Sequence, residues 1–473
     1  MSTSHRRWVT AWASWGPRFL PFADAASADL PLSRLLRLSL FQVSFGMAVV
    51  MLVGTLNRVM IVELKVPAAL VAIMVALPLL AAPFRALIGF RSDRHRSELG
   101  WRRVPYIWMG TLMQFGGFAI MPFALLVLAG AGQSAQAPAW VGQLGAALAF
   151  LLVGTGMHTT QTAGLALATD LAPPHAQPKV VGLMYVMQLV GMIFSALVFG
   201  DLLSEYSPGA LIRVIQAAAV TTLVLNVTAL WKQEARSRNR KPGQGHDEES
   251  FGQAWQRFCS GPDTVRRLCG VGLGTMAFTM QDVLLEPYGG EVLKLSVSHT
   301  TFLTATLALG GLIGFAAASR VLSRGADPYR MACAGALVGI AAFAAVIASA
   351  PLSSIPLFVA GAFLIGLGGG LFAHGTLTAT MQLAPREQIG LALGAWGAVQ
   401  ATATGLAMAL GGLIRQLLDD PLGPSAAYTS VYTLELLMLA ATLLAMAPLA
   451  RNRAPASELK QPDNPEVQIR PNP

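Results

Sequence analysis

Gly89-Phe90-Arg91-Ser92-Asp93-Arg94, continued by Gly100-Trp101-Arg102-Arg103, lies between two long apolar segments. A charged stretch in that position is a short loop joining two membrane helices. Gly89 lets the helices approach closely. Asp93 stands at a helix end, and the arginines hold the loop on the cytoplasmic side of a bilayer. The remaining apolar segments then have to alternate across the membrane from this fixed point.

Composition agrees. Hydrophobic residues make up 54% of the chain and charged residues 12%. Soluble domains carry roughly 25% charged residues, so most of this chain faces lipid or other apolar helices. A length of 473 residues accommodates about a dozen spans of roughly 20 residues with short loops. Twelve apolar segments occur, at 35–58, 66–90, 104–130, 139–169, 179–201, 208–231, 267–289, 297–321, 331–350, 355–382, 388–416 and 428–450. They predict an all-α membrane protein with twelve transmembrane helices. The polar segment 232–266 contains Arg236, Arg238, Arg240, Lys241 and Asp247-Glu248-Glu249, the composition of a flexible linker. The expected order is an N-terminal segment 1–34, a six-helix bundle 35–231, the linker 232–266, a second six-helix bundle 267–450 and a tail 451–473.

The basic residues test this order. Arg58, Lys65, Arg213, Lys294 and Arg415 fall on one side, and nearly all the rest of the 33 Lys and Arg fall on the other. That asymmetry predicts that both termini, the linker and the tail are cytoplasmic. It also turns the net charge of +9 into a topology signal and argues against nucleic acid as a partner. Trp8, Trp12, Trp15, Phe19 and Phe22 recur among Arg6, Arg7 and Arg18, as in a segment lying in the headgroup layer. Cys259, Cys269 and Cys333 have neither zinc spacing nor a disulfide pattern.

The two halves read as repeats. Ala168-Thr169-Asp170-Leu171-Ala172-Pro173 ends the fourth segment, and Thr380-Met381-Gln382-Leu383-Ala384-Pro385 ends the tenth. Leu56-Asn57-Arg58 and Leu284-Leu285-Glu286 occupy matching ends of the first and seventh. Parallel six-helix repeats with a site near their interface are a transporter plan. The opening loop resembles that between the second and third helices of the major facilitator superfamily, with a longer spacer after Asp93-Arg94.

Three further stretches narrow the resemblance. They are Leu36-Arg37-Leu38-Ser39-Leu40-Phe41-Gln42 with Gly54-Thr55-Leu56-Asn57-Arg58, then Ala82-Pro83-Phe84-Arg85-Ala86-Leu87, then Gln281-Asp282-Val283-Leu284-Leu285-Glu286-Pro287-Tyr288-Gly289-Gly290. Together they closely resemble the PucC/LhaA family of purple phototrophic bacteria, the bacteriochlorophyll delivery branch of the facilitator superfamily. The resemblance implies an assembly factor for light-harvesting antenna complexes, which binds or delivers bacteriochlorophyll to antenna polypeptides. It implies residence in the inner membrane and its photosynthetic invaginations. Antenna polypeptides are the implied partners, with the reaction centre and pigment-synthesis enzymes as further candidates. Gly16-Pro17-Arg18-Phe19-Leu20-Pro21-Phe22 inclines toward the LH1-directed type.

Bacteriochlorophyll is a flat apolar macrocycle whose magnesium takes an axial ligand such as a neutral imidazole. His158 and His374 are the two histidines inside apolar segments, which makes them candidate ligands. The alternative is a histidine bonded to the nearby threonines and gluing helices together. Arg58, Asp282 and Glu286 are gate candidates, with separate interfacial charges, a structural hydrogen bond or, at Asp282, proton coupling as the alternatives. Arg85, Asp93, Arg94, Arg102 and Arg103 are candidates for a network that biases one conformation, with Arg85 alternatively snorkelling to the interface. Gly366, Gly368, Gly369 and Gly370, with Gly390, Gly394 and Gly397, predict close helix packing. No phosphate loop, nucleophile elbow, metal motif or catalytic carboxylate pair is read, so no enzyme is expected. The rival functions are a proton-coupled transporter of a soluble solute and a structural chaperone that binds antenna helices without pigment.

Overall fold

The structure is a computed structural model that describes residues 30–80, 92, 101–129, 138–173, 177–234, 263–322, 324–383 and 389–451. The Trp-rich N-terminal segment, most of the linker, the tail beyond 451, and Arg85, Asp93 and Arg94 lie outside the described residues. Among the described residues the regular elements are all helical. Six make the first half: α1 (Leu32–Glu63), α2 (Ala68–Leu80), α3 (Val104–Leu128), α4 (Ala139–Leu171), α5 (Gln177–Leu202) and α6 (Pro208–Leu230). Six make the second: α7 (Thr264–Glu291), α8 (Val297–Leu322), α9 (Pro328–Ser349), α10 (Ile355–Leu383), α11 (Ile389–Leu422) and α12 (Pro424–Arg451). Eleven are long and apolar enough to cross a membrane, and α2 is shorter over its described part.

Local chemistry starts several helices where they begin. Ser207 accepts the Ala210 N–H ahead of Pro208, and Asp327 accepts the Tyr329 and Arg330 N–H groups ahead of Pro328. In each case a capping side chain satisfies an orphan amide and proline takes the first helical position, where it needs no donor.

α1 and α7 depart from regular geometry. α1 widens into π-type turns over Val50–Leu56 and Val59–Glu63. α7 tightens into a 3₁₀ turn over Met280–Val283, between helical pieces Thr264–Thr279 and Leu285–Glu291. Such departures concentrate at functional sites. Both helices are followed by a lysine in left-handed backbone, Lys65 (φ 54°) and Lys294 (φ 57°). The first helix of each half therefore carries an irregular segment and a strained exit, a repeat that hydropathy alone does not show.

The halves meet through α2 against α11 and α5 against α8. Within the second half, α10 uses glycine on two faces. A Cβ at Gly366 would strike the Leu307 carbonyl of α8, and one at Gly368 would stand 2.7 Å from the Gly335 carbonyl of α9. This is the close approach expected of the cluster. Gly397 departs from that expectation, because a Cβ there would meet nothing.

An aromatic cluster fills the centre of the second half. The Tyr288 ring lies 5.4 Å from Phe358, 5.5 Å from Tyr428 and 5.4 Å from Tyr432, and Phe343 stacks on Tyr432 at 6.4 Å. The Tyr288 hydroxyl reaches Val346 O and Ser349 Oγ only at 3.4 Å. The ring, not the hydroxyl, is what holds α7, α9, α10 and α12 together. Tyr288→Phe is accordingly expected to cost less than about 1 kcal/mol in unfolding in detergent. A larger loss would mean that the hydroxyl bonds dominate.

Candidate functional site

The irregular part of α1 faces that of α7. Val283 should bond to the N–H four residues on, but that residue is Pro287 and has none. Asn57 of the first half supplies the missing donor, with Nδ2 at 2.7 Å from Val283 O. Thr55 and Thr301 hydroxyls approach to 3.4 Å beside it. A carbonyl left over by proline in one half is thus satisfied by an amide from the other.

Arg58 continues this seam. It is 3% exposed, pairs with Glu63 of its own helix through Nη1, and donates from Nη2 to the Leu295 carbonyl at 3.2 Å across the interface. Glu286 is also 3% exposed, accepts from Thr304, and feels the Arg58 charge. Gly54 lies against the Glu286 carboxylate, where a side chain would collide with it. The gate candidates Arg58 and Glu286 therefore occupy one site. Glu63 is the direct partner of Arg58, and the bond that spans the halves goes to main chain. Asp282 stands apart, partly exposed and bonded to Gln281 Nε2.

A cavity of about 540 Å³ opens at the same end, lined by Lys65, Glu291, Lys294, Arg415, Asp419 and Asp420 among others. Arg415 bonds Glu291 at 2.5 Å and Asp419 at 3.2 Å, and its guanidinium lies 4.9 Å from the centre of the Tyr428 ring. Tyr428 donates to Glu291 at 3.0 Å. Sequence reasoning read Arg415 only as a topology charge. Its place one turn before Asp419 and Asp420 was the available signal.

The opposite end carries the charged loop. Arg102 and Arg103 share Asp170 of α4, at 2.6 Å and 3.1 Å. Arg103 also donates to Ser92 at 2.6 Å. The Glu234 carboxylate, just beyond α6, accepts the N–H groups of Arg102, Arg103 and Val104, at 2.7, 3.1 and 3.0 Å. A carboxylate there satisfies first-turn amides of α3 and complements its dipole. Arg34 at the start of α1 bonds Gln233 through its side chain at 3.0 Å and its carbonyl at 2.8 Å. These partners join α1, α3, α4 and the end of α6. Asp170 and Glu234 were not foreseen as partners, although Asp170 stands in the repeat motif that ends α4.

The two histidines sit in different surroundings. His158 is 5% exposed, with its ring edge-on to Phe45 of α1 at 5.5 Å. His374 is partly exposed, with its ring 4.3 Å from Phe315 of α8. Their contacts are to helices that are not repeat counterparts. Near His158, Gln161 donates to Gln188 at 3.1 Å and Gln42 at 3.4 Å, joining α1, α4 and α5 through amides. His374 keeps more exposed surface than His158.

Two six-helix halves in contact through α2/α11 and α5/α8, with a polar seam between α1 and α7, define a multi-pass membrane protein of the major facilitator fold. A solved bacterial homologue of the iron transporter ferroportin, inward-facing, superposes with a TM-score of 0.66 at 13% identity, over 89% of this chain and 99% of that one. At such identity the likeness is one of fold alone. The chain belongs to the PUCC protein family, which matches residues 55–454. Protein PucC of Rhodovulum sulfidophilum is 65% identical over 405 residues, 85% of this chain and 89% of the relative. Protein PucC of Cereibacter sphaeroides is 58% identical over 451 residues, 94% of this chain and 98% of the relative.

Proposed function

We propose that this protein is an assembly factor for bacterial light-harvesting antenna complexes, which binds bacteriochlorophyll and delivers it to antenna polypeptides. Membership of the PUCC family over residues 55–454 is the observation that carries the reading. The fold supports a membrane-embedded role, with two six-helix halves that meet along a polar seam. Such work moves or holds a pigment and needs no bond-breaking chemistry. The protein would act in the inner membrane, with both termini and the Arg103 network on the cytoplasmic side and the Arg58 seam on the outer side.

Of the two candidate magnesium ligands, His374 is the better placed, because it is partly exposed. His374 would hold the pigment through its magnesium, by presenting a neutral imidazole beside an apolar face. Phe315 against the His374 ring supplies that face.

The test is an absorption spectrum of the full chain purified in mild detergent from cells that lack antenna polypeptides. Bound bacteriochlorophyll or a late precursor is expected. His374→Leu should lower pigment retention on the order of tenfold and shift the near-infrared band. His374→Gln should restore part of it, because an amide oxygen also coordinates magnesium. Wild-type protein without pigment would sink the delivery reading and favour a chaperone of antenna helices.

A further inference from the structure

The break in α7 faces α12. The 3₁₀ turn Met280–Val283 brings Gln281 and Asp282 beside Glu435, on which the Gln281 main chain and the Asp282 carboxylate both act. Tyr432 lies on the same face of α12, three residues before Glu435, and interacts with it. Glu435 and Tyr432 have no exposed surface, and Gln281 is 1% exposed. A carboxylate at such depth is costly and signals a function by default.

The hydrogen-bond inventory around it is incomplete. Both Glu435 carboxylate oxygens, Gln281 Oε1 and the Tyr432 hydroxyl lack a hydrogen-bond partner of good geometry. Gln281 cannot relieve this by turning its amide, because Nε2 is already committed to Asp282 and to the Phe278 carbonyl at 3.2 Å. Among the described residues no Lys, Arg or His forms an ion pair with Asp282 or Glu435. The titratable groups acting on Glu435 and Tyr432 are Asp282, Tyr288 and Tyr428, which are acidic or neutral. Buried oxygens short of partners, around a carboxylate in a membrane interior, leave a place for a positive ligand.

We infer that the α7 break and α12 form a binding site for one small monovalent cation, Na⁺ or a proton. Glu435 is its charged ligand, and Gln281 Oε1 and the Tyr432 hydroxyl are its neutral ones. Oxygen donors suit a hard cation. Among the described residues no group of three or more His, Cys, Asp and Glu is placed to hold a metal ion, which argues against a zinc-like or carboxylate-dense divalent site. A single fully buried carboxylate matches a single positive charge. Asp282 is partly exposed and lies beside these ligands. Discontinuous helices are where secondary transporters commonly expose oxygens to coupling ions. Here the same break also presents Val283 O to Asn57 of the other half. Filling the site would clamp α7 to α12 and so act on the seam between the halves.

The test is thermal unfolding of the purified full chain in detergent. In one series NaCl is exchanged for choline chloride at constant ionic strength; in another only pH is varied. If Na⁺ is the ligand, the unfolding temperature rises saturably with Na⁺ at fixed pH. If the ligand is a proton, the temperature falls as pH rises and ignores Na⁺, because the folded state then binds the extra proton. Either response supports the site if Glu435→Gln abolishes it. Tyr432→Phe keeps the ring and its packing, and should weaken Na⁺ binding about tenfold, or displace the pH response, so it decides the matter should Glu435→Gln fail to fold. A wild-type protein that responds to neither variable overturns the inference. So does a response that Tyr432→Phe leaves unchanged.

Discussion

Arg58→Met is expected to destabilise the protein by about 1.5–3 kcal/mol, the worth of a hydrogen bond from a charged group in a buried site. The stranded group is not Glu63, whose side chain is 36% exposed and can hydrate. Glu286, 3% exposed and held by Thr304, would lose the nearby Arg58 charge, with which it forms no ion pair. The Leu295 carbonyl would lose its donor at the same time. If Glu286 depends on that charge, the double variant Arg58→Met, Glu286→Gln should recover at least about 1 kcal/mol of the loss. Unfolding in detergent of the wild type and the three variants measures this coupling. A double variant no more stable than Arg58→Met would show that Glu286 does not depend on Arg58. The functional counterpart is antenna content in cells, which should drop in Arg58→Met and partly return in the double variant.

This site shows how far the sequence could be read. The positions were legible: Leu56-Asn57-Arg58 and Leu284-Leu285-Glu286 occupy matching ends of repeated helices, and the structure brings them into one seam. The helices themselves were legible because a chain in lipid has to satisfy its backbone within each segment, which forces long uninterrupted apolar runs. Partner identity was not. Arg58 and Glu286 invite pairing as opposite charges, yet Glu63 lies one turn and a half along the same helix and pairs first. Pro287 announces an orphan carbonyl at Val283, but only the fold decides that Asn57 fills it. Glu435 was passed over among the apolar residues of the last helix. Its significance comes from the 3₁₀ turn of α7, which no periodicity in the sequence predicts. Gly397 was grouped with packing glycines by spacing, and spacing cannot tell which face of a helix meets a neighbour.

The charged loop allows a second test, because two adjacent arginines share one acceptor in different solvent. The Arg102 side chain is 34% exposed and that of Arg103 is 5% exposed, and both bond Asp170. An exposed pair is worth roughly 0–1 kcal/mol, since water competes for both partners. A charge-assisted bond to a buried guanidinium is worth about 1.5–3 kcal/mol. Arg102→Gln should therefore lower stability by less than about 1 kcal/mol, while Asp170→Asn should cost about 1.5–3 kcal/mol because it removes a described carboxylate partner from Arg103. The Glu234 cap on α3 is untouched by either change, so helix α3 should keep its start and the protein should still insert. If the loop biases a conformational equilibrium, Asp170→Asn should also lower mature antenna levels beyond what its loss of stability accounts for, measured against a variant of equal stability such as one in the aromatic cluster. Equal costs for Arg102→Gln and Asp170→Asn would mean that burial of Arg103 does not set the strength of this network, and antenna levels that follow stability alone would mean that the loop holds topology without shaping the conformational balance.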